Sequence, residues 1–274
     1  MSSIALNYAN KKPLGKTNES IAVLGFGTHN IKDFTSAEKA LIKAIELGLN
    51  VIEVSDSYAL GLSMDLIKKV LAKVKRDEVF IVFRISPIIL SDPINAITKF
   101  EQMLKRMSTS FVDVIMPAGS ADLIPLNIEV KALENIASKG LARYIGLSGF
   151  TIKQINDILH MLQKYDIVMI QSRYSVLNRK IEKDLIPFAI KTGITIQACT
   201  TLEKGVVLRN PAILQIASKY NSTPAQVALS FVIAKPNVIA LTKSEKVEHI
   251  VENSKAIDLR LSKEDLDKLN MLQS

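Results

Sequence analysis

Three residues carry the most readable chemistry in this sequence: Glu53, Tyr58 and Arg84. Glu53 interrupts the apolar run Asn50-Val51-Ile52-Glu53-Val54, and Arg84 interrupts Val79-Phe80-Ile81-Val82-Phe83-Arg84-Ile85. An unpaired charge inside an apolar element is very costly, so the two are expected to pair across neighbouring strands, at matching depth. Tyr58 lies in the loop just after Glu53. A phenol beside a fixed cation can have its pKa lowered and so become a general acid. Residue types alone leave two readings open: a proton-transfer site, or an ion pair that merely orders the mouth of a fold beside a packed tyrosine.

Other reactive side chains read more plainly. His29 follows Gly27-Thr28 and is a candidate pocket wall, whereas His160 falls on a helix and is expected at the surface. Asp56 is either a substitute acid or a solvated loop residue. Cys199 reads as a packed thiol, since no histidine stands beside it in sequence. The three histidines and one cysteine show no metal-ligand spacing, so no metal is expected.

Short runs rich in Ile and Val must position these residues. They are Ile21–Phe26, Val51–Val54, Val79–Ile85, Val112–Met116, Ala142–Leu147, Val168–Gln171, Ile194–Cys199 and Val238–Thr242. Apolar almost throughout, they read as strands buried on both faces. Amphipathic stretches between them carry helix signals. Thr35 with Glu38, Thr151 with Gln154 and Ser262 with Asp265 have the spacing of capping boxes. Asp92-Pro93, Asn210-Pro211 and Thr223-Pro224 set a capping residue before a proline, and Gly48 and Gly140 stop helices. Eight strand–helix units predict a (β/α)8 (TIM) barrel. A doubly wound sheet is the alternative, but no G-x-G-x-x-G turn follows the first strand. Ile4–Glu19, with Gly15 in its middle, is expected to form a hairpin closing the barrel bottom, and Lys263–Leu272 an extra C-terminal helix. No linker divides residues 1–274, so one domain is expected.

Composition narrows the function. The chain has 274 residues, near the usual barrel length, and a net charge of +8. Its lysines, such as Lys68, Lys69, Lys73 and Lys75, are spread along helices without an arginine–aromatic cluster, which disfavours nucleic acid as a partner. No long apolar run predicts a membrane helix, and Met1–Leu14 lacks a signal peptide's apolar stretch. The single cysteine excludes an intramolecular disulfide. A cytoplasmic protein acting on a small molecule, as a monomer or homo-oligomer, is the simplest expectation.

The motifs also resemble those of the aldo-keto reductase family over nearly the whole chain. Leu24-Gly25-Phe26-Gly27-Thr28 resembles its opening strand, "NVIEVSDSY" (50–58) its "iDTAxxY", and "VDVIMPA" (112–118) its "vDlylIH". "GLARYIGLSGF" (140–150) resembles "GkvRyIGvSNF", and "TPAQVALSFVIAKPNVIALTKS" (223–244) resembles "TpaQvaLaWll…viPkS". "VEHIVEN" (247–253) is similar to the start of the family's adenosine-binding helix.

The resemblance implies a nicotinamide-dependent carbonyl reductase, with NADPH as the usual cofactor and NADH as the alternative. The family's catalytic set is an aspartate, a tyrosine, a lysine and a histidine; these positions hold Glu53, Tyr58, Arg84 and Ala118. Arg84 keeps the positive charge in a planar fork that does not deprotonate. Ala118 has no donor, and removing one such donor typically costs ~10²–10³ in rate. For the cofactor, the resemblance implies Ser148 and Gln171 at the carboxamide, with Gly149 replacing an asparagine and Cys199 replacing a stacking tyrosine. It implies Thr200 and Leu202 along the pyrophosphate, Lys243 and Ser244 at the 2′-phosphate, His249 where arginine is common, and Asn253 at the adenine. Lys243 stands at a strand end before a helix N-terminus, a natural anion site. The family's larger members carry a long C-terminal tail over the pocket, whereas this sequence ends after its last helix, so the resemblance predicts an open pocket. Three functions compete: an NADP(H)-dependent reductase with altered catalytic residues, a non-catalytic ligand-binding barrel, and a different enzyme using Glu53, Arg84 and Asp56 on an anionic substrate.

Overall fold

A computed structural model describes residues 10–119 and 124–272. Eight parallel strands close a barrel: β3 (Leu24–Gly27), β4 (Val51–Ser55), β5 (Phe80–Ile85), β6 (Val112–Pro117), β7 (Ala142–Ser148), β8 (Ile167–Arg173), β9 (Thr195–Cys199) and β10 (Val238–Thr242), with β10 returning to β3. Before them, β1 (Lys11–Pro13) and β2 (Ser20–Ala22) pair antiparallel as a hairpin. The expected first strand Ile21–Phe26 is thus two strands parted at Val23, one in the hairpin and one in the barrel. The expected hairpin segment is correct around Gly15; its residues 4–9 lie outside the described ones.

Alternation along the strands gives the barrel interior two zones. Val51, Phe80, Val82, Val114, Met116, Met169, Ile239 and Leu241 form the lower, apolar layers, closed from below by Leu14 and Ile21 of the hairpin. Two residues further along, the same columns carry Glu53 on β4, Arg84 on β5 and Gln171 on β8. The barrel floor is therefore dry and its upper layer polar. The outward-facing strand residues form the larger core with the surrounding helices.

The hairpin is also held by one buried side chain. Lys12 is fully enclosed, and its Nζ donates to the carbonyls of Ile233 (2.5 Å), Lys235 (2.5 Å) and Val238 (2.8 Å). These lie at the end of helix Pro224–Ile233, the turn after it and the start of β10, where carbonyls at a helix C-terminus attract a cation.

Helix starts follow the expected chemistry with two corrections. The first is that Ser262 and Asp265 form no full box, since the Ser262 amide donates to the Tyr220 hydroxyl at 2.7 Å. Thr151 and Thr223 form full capping boxes with Gln154 and Gln226, and Asn210 and Ser262 cap their helices. The expected Thr35–Glu38 box does not form: Asp33 caps helix Phe34–Glu46, accepting from the amides of Thr35 and Ser36 at 3.0 Å each. A carboxylate two residues upstream is a stronger acceptor than the Thr35 hydroxyl. Glu38 instead pairs with Lys73 at 2.6 Å. Ser262 caps helix Lys263–Asn270, the expected C-terminal addition. No described helix is long and apolar enough to cross a membrane.

Candidate active site

The upper polar layer gathers Glu53, Tyr58 and Arg84 as the sequence suggests, but in another arrangement. Arg84 sits across from Ser55, and Val82 sits across from Glu53. The two charges are thus offset by two residues rather than level, because neighbouring barrel strands are staggered. Arg84 Nη1 and Glu53 Oε1 are 3.9 Å apart. Tyr58 bridges them: its hydroxyl donates to Glu53 Oε1 at 2.6 Å and accepts from Arg84 Nη1 at 2.5 Å.

This arrangement reverses the expected effect on the phenol. Burial, then the Glu53 carboxylate, push the Tyr58 pKa well above the ordinary phenol value, and the opposing Arg84 charge does not offset them. Burial is the larger cause, and one methylene adds the second. The glutamate arm is long enough to place its oxygen on the hydroxyl itself, so the phenolic proton points at a carboxylate.

The other Glu53 oxygen accepts from Gln171 Nε2. The same nitrogen donates to Gln197 Oε1 at 2.9 Å, and Ser148 Oγ donates to Gln171 Oε1 at 3.1 Å. Ser148, Gln171 and Gln197 are all buried. Gln197 was not anticipated, although a glutamine inside the apolar run Ile194–Cys199 was a visible signal; its Nε2 has no partner among the described residues. Glu203 was also missed. Buried in the loop after β9, it pairs with Arg173 and accepts from Ser175 Oγ at 2.7 Å.

A cleft of about 970 Å³ runs from this layer across the barrel mouth. At one end it is walled by Tyr58, Arg84, His29 and Ala118, at the other by Lys243, Ser244, His249 and Asn253, with Cys199, Thr200 and Leu202 between. His29 is exposed and packs edge-on against the Tyr58 ring, 4.9 Å between centroids. Burial, then Glu53, raise the Cys199 thiol pKa, which fits a packed thiol. The middle of the cleft is formed by unusual backbone: Thr200, Glu203, Lys204 and Gly205 all have positive φ, at 57°, 45°, 52° and 92°. Three of these are not glycine, a strain that persists only where surroundings enforce it.

At the far end, Lys243 Nζ contacts Glu245 at 2.7 Å, and Ser244 Oγ lies 3.2 Å from His249 Nδ1, just ahead of helix Val247–Ser254. Asn253 is buried and donates to Thr242 Oγ1 at 3.4 Å. Asp56 lies outside this arrangement; it accepts from the Ser86 amide at 2.9 Å and ties two loops together. His160 is exposed on its helix. Among the described residues no group of three or more His, Cys, Asp or Glu could hold a metal.

Known proteins share this architecture. The solved structure of a thermostable aldo-keto reductase, Tm1743, in complex with the inhibitor epalrestat superposes with a TM-score of 0.89 at 31% identity, covering 96% of this chain and 99% of that one. An aldo/keto reductase from Klebsiella pneumoniae in complex with NADP and acetate has a TM-score of 0.88 at 25% identity, covering 96% and 95%. Methylglyoxal reductase YeaE of Escherichia coli (strain K12) is 26% identical over 260 residues, 92% of this chain and 90% of that protein. Glyoxal reductase of Bacillus subtilis (strain 168) is 27% identical over 254 residues, 90% and 87%. The model of the Aldo/keto reductase family matches residues 23–273, and the chain belongs to that family.

Proposed function

We propose that this chain is an NADPH-dependent reductase of a small carbonyl compound, with Tyr58 as proton donor and Glu53 and Arg84 setting its acidity. One observation carries the reading. The Tyr58 hydroxyl is held between a carboxylate and a guanidinium at one end of a cleft whose other end carries Lys243, paired with Glu245. A dinucleotide fits those residues: the cleft volume is at the upper end for small-molecule sites, and Lys243 and Ser244 stand ahead of a helix N-terminus, where a phosphate is favoured. Ser148 and Gln171 would hold the carboxamide, Thr200 and Leu202 the pyrophosphate, and His249 and Asn253 the adenosine. NADH is the alternative where the Lys243 contact is dispensable. Relatives named for methylglyoxal and glyoxal suggest the substrate's size.

When bound, the reduced nicotinamide supplies a hydride to the carbonyl carbon. Tyr58 gives its proton to the carbonyl oxygen as the C=O π bond breaks. Glu53 opposes that transfer by accepting a hydrogen bond from the same hydroxyl, and Arg84 stabilises the tyrosinate left behind. A free thiol and a reduced cofactor both suit the cytoplasm, where we place the protein as one barrel.

A second reading, a barrel that binds the dinucleotide without turnover, is favoured by the hydrogen bond that commits the phenolic proton to Glu53 and by the apolar side chain at Ala118. Calorimetric titration with NADPH and NADH tests the first half. Micromolar NADPH binding, weakened about tenfold in Lys243→Ala, is expected from the loss of one charge-assisted contact. No binding of either nucleotide at millimolar concentration overturns both readings. Binding without NADPH oxidation over a panel of small carbonyls selects the second.

A further inference from the structure

We propose that Arg84 seats a carboxylate of the substrate, so that this cleft selects 2-oxo acids over neutral carbonyl compounds. The inference deepens the reductase reading and rests on it for the carbonyl, but the carboxylate seat is a property of the protein alone.

The guanidinium is underused. Among the described residues it makes one hydrogen bond, from Nη1 to the Tyr58 hydroxyl, while its buried Nε has no partner. Yet it is a wall of the cleft, with its side chain 20% exposed. A guanidinium that lines the cleft with a single hydrogen bond has donors left for a ligand. Nη2 makes no hydrogen bond among the described residues, and Nη1 and Nη2 form the end-on edge of the guanidinium fork, which matches a planar carboxylate; Nε, closed to solvent, takes no part in the seat. A lysine ammonium has no such edge.

Spacing then selects the substrate class. Oxygens on adjacent carboxylate and carbonyl carbons lie about 2.7 Å apart when they face the same way, from standard bond lengths. Arg84 Nη1 and the Tyr58 hydroxyl are 2.5 Å apart. A 2-oxo acid therefore offers one oxygen to the arginine and the next to the phenol. Ala118, on the same cleft wall, has the side chain of least bulk after glycine and leaves room for the acid group. Glu53 opposes an anion here, being 3.9 Å from Nη1. Both its oxygens are engaged by Tyr58 and Gln171, which spreads its charge but does not remove it. The expected selectivity is accordingly modest.

The test compares pyruvate with its neutral counterpart pyruvamide, by ligand-observed NMR titration of the full chain with and without NADP⁺. Pyruvate is expected to bind about tenfold more tightly, the scale of one charge-assisted hydrogen bond. Arg84→Gln should abolish the preference by weakening pyruvate alone, and Arg84→Lys should keep part of it, since charge remains without the fork. Circular dichroism melting of each variant shows that it is folded. Equal binding of acid and amide, or no pyruvate binding, overturns the proposal. So does a preference that survives Arg84→Gln and disappears in Lys243→Ala, which would put the anion at the far end. An acid preference in a protein that binds no NADPH leaves the seat standing and removes the reductase reading.

Discussion

Shortening Glu53 by one methylene should make Tyr58 a better acid and the protein a faster reductase. In the structure the Glu53 oxygen is 2.6 Å from the Tyr58 hydroxyl. Glu53→Asp withdraws the carboxylate by about 1.5 Å, one carbon–carbon bond. The contact then opens to about 4 Å, beyond hydrogen-bond range. At an effective dielectric constant of about 20, carboxylate–phenolate repulsion falls by about 2 kcal/mol over that change. That is about 1.5 pKa units off a phenol that burial and Glu53 hold high, while Arg84 stays in place. With about half of the gain expressed in the proton-transfer step, the rate rises about fivefold. The assay is NADPH oxidation with methylglyoxal or pyruvate at saturating cofactor, for wild type, Glu53→Asp and Glu53→Asp/Tyr58→Phe. The gain must vanish in the double variant. A rate in Glu53→Asp at or below wild type would refute the argument that the glutamate arm restrains the phenol. The lost methylene also leaves a small cavity worth about 1 kcal/mol, so a melting temperature lower by about 2–4 °C accompanies the gain.

Three further outcomes follow from the same geometry. Tyr58→Phe should lower reductase activity by ~10²–10⁴ in steady-state kinetics while leaving NADPH affinity nearly unchanged. Glu129 is buried in the first turn of helix Leu126–Ser138, and burial raises its pKa to about 7. A carboxyl with a raised folded-state pKa stabilises fully below its unfolded value near 4.5 and loses that contribution as pH rises through about 7. Glu129→Gln should therefore raise the melting temperature relative to wild type at pH ~8, by the equivalent of roughly 3 kcal/mol at most, and not at pH ~4. Lys12→Met removes the donor to three carbonyls and should destabilise by about 2–3 kcal/mol in urea unfolding.

The barrel was legible because its signals are local. Ile- and Val-rich runs mark strands buried on both faces, and Asn210-Pro211 and Thr223-Pro224 mark helix starts whatever surrounds them. What failed was relational. The Thr35–Glu38 spacing fits a capping box, but Asp33 competes for the same amides and wins. Ile21–Phe26 reads as one strand because its chemistry is continuous; only the barrel's geometry parts it at Val23. The stagger between Glu53 and Arg84 comes from strand tilt, which no single strand encodes. The Glu53–Gln171 contact joins residues 118 apart in sequence, and no spacing rule covers it.

Glu53 also links two regions that the sequence leaves separate. One oxygen holds the Tyr58 proton, and the other holds the amide of Gln171, assigned above to the nicotinamide carboxamide. A ligand that takes up the Gln171 amide removes a donor from Glu53, and a carboxylate with fewer donors is more basic and grips the phenolic proton harder. A ligand oxygen that instead accepts from Arg84 relieves the guanidinium of part of its duty to Tyr58. Cofactor and acid substrate would therefore both make the phenol a weaker acid, through two different neighbours. An aspartate at residue 53 would break the first coupling, because its shorter arm reaches neither the hydroxyl nor the amide as closely. The glutamate's effect on the reaction is thus set by how near its arm brings the carboxylate to the hydroxyl and the amide, a reach that an aspartate would not share.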